Sequence, residues 1–218
     1  MKKMSSLTVG FVLTFSLICS TLTFAEELKP IQLQKPQVDG GRPLMQVLKD
    51  RKSSREFSPE KLSNQVISNL LWAASGVNRP DSGRRTAPSA VNWQEIDIYA
   101  ATADGLYLYD AKAHLLKPIL SEDIRAMTGR QPFVKEAPIN LIYVADFSRM
   151  GKATNEDKEF YSAADTGFIS QNVYLFCASE GLATVVRALI DRPALARVMG
   201  LRPDQKITLS QSVGYPKK

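Results

Sequence analysis

The feature that most constrains the fold is a long segment, residues 161–180, with helical periodicity and apolar side chains on more than one face. Phe168, Val173, Leu175 and Phe176 fall on more than one face of such a helix, and the segment is also rich in small residues. Gly181 follows, where a helix commonly ends. A helix that is apolar around most of its circumference has to be covered on several sides. The sequence therefore predicts a central, buried helix around which the other elements pack.

Strand patterns lie on both sides of this helix in the sequence. The segments with strand character are residues 96–100, 106–109, 139–145 and 206–213. The first two are separated by the turn pair Asp104-Gly105, which predicts a β-hairpin. The third is almost wholly apolar and rich in β-branched residues, as expected of a central strand. We predict an α+β domain, an antiparallel-rich central sheet flanked by helices.

Shorter helices are indicated by their caps. One begins at Ser58-Pro59 or at Ser63 and ends at Gly76. A second is expected from Ser121 to Met127, and a third from Asp191 to Gly200.

Polar and charged segments connect these elements. We expect residues 77–87 to be a loop and residues 152–158 to be a lid or a surface turn. Trp72 is expected in the core, and His114 on the surface just beyond the hairpin.

The N-terminus has the organisation of a secretory signal. A short basic region precedes a diluted apolar run, and Ala25 completes a small-residue cleavage site. Ile18 precedes Cys19 where lipid attachment needs a small residue, so we expect no lipidation. We therefore predict a signal peptide over residues 1–25, an extended arm over 26–41 and a single domain over 42–218. The expected location is periplasmic or secreted, with no stable membrane anchor.

Composition excludes several function classes. The chain carries a net charge of +6, but its cations are mostly interspersed with acids rather than forming the continuous stripe that binds nucleic acid. Only Cys177 would remain after cleavage, so an intramolecular disulfide is impossible, and we expect this thiol to be a small buried residue. The single histidine disfavours a zinc site and a Ser-His-Asp triad. We expect no metal site.

Two polar stretches carry the functional signal. Residues 51–57, Arg-Lys-Ser-Ser-Arg-Glu-Phe, place three cations and two hydroxyls within five positions. Guanidinium groups give charge-assisted, bidentate hydrogen bonds to phosphate, and a hydroxyl adds a neutral donor. The second stretch, residues 84–94, is small and polar at its centre and carries the carboxamides Asn92 and Gln94.

Together these stretches resemble two motifs of the nitroreductase family of FMN-dependent oxidoreductases. The first is similar to that family's Arg-x-Ser-x-Arg-x-Phe phosphate motif, and the second to its Pro-Ser-Ser/Ala-x-Asn-x-Gln motif. The resemblance extends from about Leu44 to Pro216, closest to the short SagB-like branch. It implies a nitroreductase-like fold assembled as an intertwined homodimer, with the helix motif Asp165-x-Gly167-x-x-x-Gln171-Asn172 in the dimer core.

The resemblance also implies FMN as the cofactor and assigns roles to particular residues. Arg51, Ser53 and Arg55 would bind the phosphate, with Lys52 nearby. The second stretch would line the flavin of the partner subunit. The implied cofactor-binding set is Arg51, Lys52, Ser53, Arg55, Pro88, Ser89, Ala90, Asn92, Leu182, Ala183 and Arg187. The C-terminal Lys-x-Arg of longer members is missing, and Arg187 or Lys217 would take its place.

A flavin brings its own redox chemistry, so no catalytic side chain is expected. The function implied is an exported FMN-dependent oxidoreductase, which transfers hydride or electrons between the flavin and a small organic substrate. Its electron donor is not named by the sequence. The alternative is a non-catalytic flavin-binding protein that retains the site without turnover.

Overall fold

Seven strands form one antiparallel sheet in the computed structural model, which describes residues 28–218. Their order across the sheet is β1-β6-β5-β4-β7-β9-β8. The strands are β1 (Ile31–Gln32), β4 (Ile96–Thr102), β5 (Gly105–Asp110), β6 (Leu115–Leu120), β7 (Ile139–Asp146), β8 (Ala183–Arg187) and β9 (Gln205–Gly214). A separate two-stranded ribbon pairs β2 (Val77–Arg79) with β3 (Arg84–Arg85). The α+β class and the antiparallel sheet that the sequence predicted are confirmed.

The predicted strands form because the apolar positions in their sequences are the positions that the folded sheet buries. β4 and β5 form the predicted hairpin, with Thr102 opposite Gly105 at the turn. Every residue of β7 is buried, and this strand lies between β4 and β9. A central strand covered on both faces has no polar side to display, which explains its continuous apolar run.

The four α-helices within residues 28–218 are α1 (Leu44–Asp50), α2 (Asn64–Ser75), α3 (Asn155–Glu180) and α4 (Arg192–Val198). The long helix α3 begins earlier than predicted, because Thr154 caps it by accepting a hydrogen bond from the Asp157 N–H. The prediction of a lid or surface turn over residues 152–158 is therefore wrong for its second half. Gly181 ends α3 in the left-handed conformation, as expected.

Capping side chains determine where the remaining helices begin. Of the two possible starts for α2, the structure uses Ser63, whose hydroxyl accepts from the Val66 N–H. Asp191 caps α4 as predicted. The helix expected over residues 121–127 is only a 3₁₀ turn, Arg125–Thr128, and no side chain caps it. The loop expected over residues 77–87 contains the β2–β3 ribbon.

The core occupies both faces of the sheet. Alternate residues of β4 and β7 point to opposite sides, so each face has its own apolar cluster. Helices α2 and α3 pack in the larger cluster, and α4 packs in the smaller one through Leu195. Cys177 is fully buried in the larger cluster, and burial raises the pKa of its thiol. The interpretation of this cysteine as a small buried residue agrees with that position.

The arm enters the domain as an edge strand. In the described part, β1 pairs with β6 of the same chain, Ile31 lying opposite Leu116. The predicted signal peptide and its cleavage site lie outside the described residues. Within residues 28–218, no helix combines the length and the apolarity needed to cross a membrane.

His114 and Trp72 differ from expectation. The His114 ring is half-buried rather than on the surface, with Nε2 2.7 Å from Ser68 Oγ and Nδ1 3.0 Å from Tyr109 Oη. Burial lowers the pKa of this imidazole. Trp72 is also only half-buried, and its indole N–H donates to the Val77 carbonyl. Both side chains are positioned by hydrogen bonds, from Ser68 and Tyr109 to His114 and from Trp72 to Val77. The hydrophobic periodicity of the sequence does not predict these contacts.

Candidate functional site

The stretch 51–57 lies between the end of α1 and the edge of the sheet. The Arg51 N–H closes α1 on the Val47 carbonyl, and the chain then runs extended. The Ser54 N–H donates to the Thr184 carbonyl on β8 at 2.9 Å. Phe57 is 2% exposed, so its burial anchors the end of the stretch. The polar side chains of this segment are therefore presented from a fixed backbone.

A cluster of phosphate-type donors forms where this stretch meets α3. The guanidinium carbon of Arg51 lies 5.3 Å from the centroid of the Tyr174 ring. Ser53 Oγ and Tyr174 Oη are 2.8 Å apart, and Tyr174 Oη also accepts from the Val186 N–H at 3.0 Å. We call Arg51, Lys52, Ser53, Arg55 and Tyr174 the cationic cluster.

The charges of the cationic cluster are not neutralised within the described chain. None of the ion pairs among residues 28–218 includes Arg51, Lys52 or Arg55. Lys52 and Arg55 are exposed, while Arg51 is half-buried against Tyr174. Three cations beside hydroxyl groups are the donor set that a phosphate dianion requires. The residues present thus fit the phosphate end of FMN.

The second stretch forms a strained loop, residues 88–94, that is held at one point to α3. Val91, Asn92 and Gln94 all have positive φ, an uncommon conformation for residues other than glycine. The Ala90 N–H donates to Asp165 Oδ2 at 2.8 Å. Val91 is 82% exposed at the tip, and Asn92 is exposed beside it. The loop displays its carboxamide and its main chain outward.

Within one chain the loop and the cationic cluster do not form a single site. The loop is held by Asp165 and the cluster by Tyr174, two residues of the same helix. Nine residues of α-helix correspond to about 14 Å along the helix axis. Pro88, Ser89, Ala90 and Asn92 are therefore displaced from the phosphate-type donors of their own chain.

Ser89 and Pro88 contribute differently from Asn92. The Ser89 hydroxyl donates to Glu95 Oε2 at 3.2 Å and accepts from the Gln94 N–H at 2.8 Å, so it is used inside the loop. Pro88 is exposed at the start of the loop. In the described chain Ser89 shapes the loop, whereas Asn92 is exposed on it, with its Oδ1 accepting from Gln94 Nε2 at 3.1 Å.

The third predicted segment joins α3 to β8 beside the first stretch. The Leu182 N–H donates to the Cys177 carbonyl at 2.8 Å, and Leu182 is half-buried. Ala183 opens β8 opposite Gly214 and is 3% exposed. These two residues lie close to the cationic cluster, because Thr184 is hydrogen-bonded to Ser54.

Arg187 is placed away from the cationic cluster. Its guanidinium is buried on the face of the sheet opposite α3, where it donates to oxygens of four residues. They are Thr128 O, Asn140 Oδ1, Ser210 Oγ and Ser212 Oγ. Burial lowers the pKa of Arg187 to about 10, so the group stays charged at neutral pH. Its partners are those of a structural residue.

Lys217, the other residue considered for a phosphate contact, lies beside the first stretch. Its N–H donates to the Glu56 carbonyl at 3.4 Å, next to the bridge between Phe57 and Pro216. The C-terminal residues thus run along residues 56–58 and lie near the cationic cluster. Arg187, in contrast, lies away from this cluster.

Sequence reasoning missed Tyr174 and Glu95. Tyr174 was one polar group in an apolar helix, and only folding brings it to Ser53. Glu95 is 0% exposed and directly follows the second motif, at the start of β4. Burial, with the nearby Asp165 carboxylate as a further cause, raises the pKa of Glu95 to about 7. The sequence signal that could have identified Glu95 is an acidic residue directly before an apolar strand.

An apolar cavity lies elsewhere in the described part of the molecule. It measures about 500 Å³ and lies between the arm, α2 and the β4–β5 hairpin, with Leu33, Leu62 and Tyr107 among its lining residues. None of the residues of the implied cofactor-binding set lines this cavity, although Phe57 of the first stretch and Lys217 do. The candidate site is therefore an open surface on one chain.

Comparisons with known proteins bear on this geometry. The model of the nitroreductase family matches residues 48–215. A candidate nitroreductase of Methanocaldococcus jannaschii is 32% identical over 165 residues, covering 71% of this chain and 82% of that protein. The crystal structure of a candidate nitroreductase from Ralstonia eutropha is 42% identical. Its TM-score is 0.85, with 89% of this chain and 93% of that chain covered.

A more distant structure has the same fold. A candidate nitroreductase from Desulfovibrio desulfuricans, solved in complex with FMN, is 21% identical with a TM-score of 0.59. The similarity covers 82% of this chain and 89% of that chain. The family model spans both motifs, the strand β7, the helix α3 and all of β9. The chain belongs to the nitroreductase family.

Proposed function

We propose that this protein is an FMN-dependent oxidoreductase that transfers hydride or electrons between the flavin and a small organic substrate. The observation that carries the proposal is the cationic cluster, three cations without carboxylate partners among the described residues beside two hydroxyls. Membership of the nitroreductase family supports an oxidoreductase. The Desulfovibrio desulfuricans structure, a complex with FMN, supports the choice of flavin.

In this proposal the chain's own residues bind and orient the cofactor. Arg51 and Arg55 would pair with the phosphate, and Ser53 would donate a hydrogen bond while Tyr174 holds it in place. Tyr174 also stacks against the Arg51 guanidinium, which limits the orientations of that side chain. When bound, the flavin supplies the redox chemistry.

We propose a homodimer in which the partner subunit's loop 88–94 completes each site. Two observations support it. The loop lies about 14 Å along α3 from the cationic cluster of its own chain. Large apolar side chains are exposed on α3 and the loop tip: Phe160 at 67%, Phe168 at 48% and Val91 at 82%. Apolar groups of this size on a surface commonly mark an interface.

Export is a further proposal, and it rests on the sequence of residues 1–25. A Sec-type signal would carry the chain out unfolded, so FMN would be acquired outside the cytoplasm. Pyridine nucleotides are scarce there, and the electron donor would then be another redox protein or the substrate itself. Mass spectrometry of the exported protein should find Glu26 at the N-terminus.

The cofactor assignment is tested by titrating FMN into Arg51→Ala and a matched control, Arg197→Ala, an exposed arginine of α4. A charge-assisted hydrogen bond contributes roughly 1.5–3 kcal/mol, so Arg51→Ala should weaken FMN binding at least about tenfold. Arg197→Ala should bind like the parent. Equal affinity of the parent and Arg51→Ala would overturn the phosphate assignment.

Turnover is tested separately by stopped-flow reduction of the bound flavin with an artificial donor, followed by reoxidation with a quinone or a nitroaromatic acceptor. Reoxidation much faster than in buffer containing free FMN supports the oxidoreductase. Bound flavin that no acceptor reoxidises faster than free FMN would instead favour a non-catalytic flavin-binding protein.

A further inference from the structure

Two buried carboxyl groups meet beneath the loop 88–94. Glu95 is 0% exposed and Asp165 is 3% exposed. One comes from the start of β4 and the other from α3, on the two sides of a small cavity that the loop also lines. Both line this cavity and bind adjacent residues of the loop, Ala90 and Ser89, so the two carboxyl groups lie close together.

Each carboxyl group is attached to the loop by one hydrogen bond. Asp165 Oδ2 accepts from the Ala90 N–H, and Glu95 Oε2 accepts from the Ser89 hydroxyl. Glu95 Oε1 is buried and has no hydrogen-bond partner within the described chain. A buried oxygen in this position is costly when ionised, but it can carry the proton of a carboxyl–carboxyl hydrogen bond.

No cation neutralises the pair among residues 28–218. Arg85 of β3 lines the same cavity, but its Nε donates to Gln94 Oε1 and its Nη1 to the Ser75 carbonyl. Arg149, in the 3₁₀ turn after β7, donates to the Gln94 carbonyl and to Asp97. Both guanidinium groups therefore bind Gln94, the last residue of the loop. Neither forms an ion pair with Glu95 or Asp165, so the carboxyl pair has no counter-ion among the described residues.

The remaining charged neighbours are acids. Asp97 follows Glu95 on β4 and is paired with Arg149, and Asp146 at the end of β7 is paired with Arg202. The Asp146 N–H donates to the Glu95 carbonyl, which keeps the two backbones together. Helix α2 contributes only the uncharged Ser75 to the cavity.

We propose that Glu95 and Asp165 share one proton and that this proton holds the loop 88–94 in its left-handed conformation. With the proton present, one carboxyl donates to the other and both loop hydrogen bonds persist. Without it, two carboxylates repel across a buried contact, and the residues that the loop presents lose their fixed position. Glu95 and Asp165 are thus positioning residues.

The proton is detected directly by infrared spectroscopy of the full-length protein. Ordinary surface carboxyl groups are ionised above about pH 5.5. The parent should keep a protonated-carboxyl stretching band at about pH 6 and lose it as the pH rises through about 7. Glu95→Gln should lack this band, and the control Glu159→Gln, an exposed acid of α3, should retain it. An undiminished band in Glu95→Gln would overturn the shared proton.

Positioning is read from Trp93, which lies in the loop's last turn with its ring 5.8 Å from that of Tyr161. In a Trp72→Phe background Trp93 is the sole tryptophan. Its emission should change through about pH 7, and Glu95→Gln should abolish the change and keep the low-pH emission. If the carboxyl band titrates while Trp93 emission stays constant, the pair does not position the loop.

A second variant keeps the test decisive if Glu95→Gln does not fold. Asp165→Asn retains an acceptor for the Ala90 N–H and removes the repelling charge, so the Glu95 midpoint should fall by at least about one pH unit. An unchanged midpoint would contradict the pairing.

The consequence for FMN rests on the proposed function. FMN affinity of the parent should fall above about pH 7, whereas that of Glu95→Gln should not. Absence of FMN binding at every pH would count against the proposed function alone, because the carboxyl band and Trp93 are read without flavin.

Discussion

Tyr174 shows how one residue determines the geometry of the site. Its hydroxyl contacts Ser53 Oγ and the Val186 N–H, so it ties the first motif to both α3 and β8. Its ring lies under the Arg51 guanidinium. A motif that the sequence presents as a charged loop therefore has a defined conformation.

Replacing Tyr174 with phenylalanine isolates the contribution of its hydroxyl. The Val186 N–H would lose its acceptor, so we expect the free energy of unfolding to fall by about 1–2 kcal/mol. FMN binding should weaken too, since Ser53 loses its positioning partner. Urea denaturation and FMN titration measure the two effects. Tyr161→Phe, which removes a more exposed hydroxyl, is the control and should change neither.

Arg187 is the residue at which the motif-based expectation and the structure diverge most. It donates to oxygens of four residues in the interior, and no carboxylate is among these partners. Arg187→Met would leave several buried acceptors unpaired, each costing about 1–3 kcal/mol. We expect a loss of at least about 3 kcal/mol in urea denaturation, with Arg197→Met unaffected. If Arg187→Met is fully stable but loses FMN, Arg187 belongs to the phosphate site instead.

At the scale of elements, the loop 88–94 depends on two neighbours that are distant in sequence. Glu95 directly precedes β4 and Asp165 lies on α3, and each accepts one hydrogen bond from the loop. Three residues with positive φ are kept in place by these contacts. The conformation of the loop therefore depends on these supports together with the hydrogen bonds within the loop.

The same supports make stability depend on pH. The Glu95 pKa is raised from 4.5 to about 7 in the folded protein, so the folded state binds more protons than the unfolded chain between these values. Stability should be greatest below about pH 4.5, as far as this group is concerned, and fall by on the order of 2–3 kcal/mol as the pH rises to about 7. Denaturation of the parent and Glu95→Gln across this range tests it. Parallel pH profiles would contradict it.

At the scale of the whole molecule, several of the exposed large apolar side chains lie on α3 and the loop tip, and others lie on α1. Phe168 lies on the exposed side of a helix whose other faces are buried against α2 and the sheet. One chain thus buries only some of the apolar side chains of this helix and leaves others exposed. A second subunit related by a two-fold axis would cover the remaining face.

Phe168→Glu tests the proposed dimer. Burying an unpaired carboxylate at an interface centre should weaken association by at least about 2–4 kcal/mol, and the protein should sediment as a monomer that no longer retains FMN. Ile119→Glu, on an exposed position of β6, is the control and should leave the assembly unchanged. A flavin-loaded monomer, in the parent or in Phe168→Glu, would rule out the shared site.

The sequence by itself determined the fold class, the strands of the hairpin and the buried strand β7. It also determined the end of α3 at Gly181, the cap at Asp191 and the two motifs of the family. These features depend on periodicity and on contacts between residues a few positions apart. Tertiary structure alone decided the pairing of Ser53 with Tyr174, the burial of Arg187 and the meeting of Glu95 with Asp165. Their partners are separated by 121, 23 to 59, and 70 positions along the chain, and no local pattern records which segments packing will bring together.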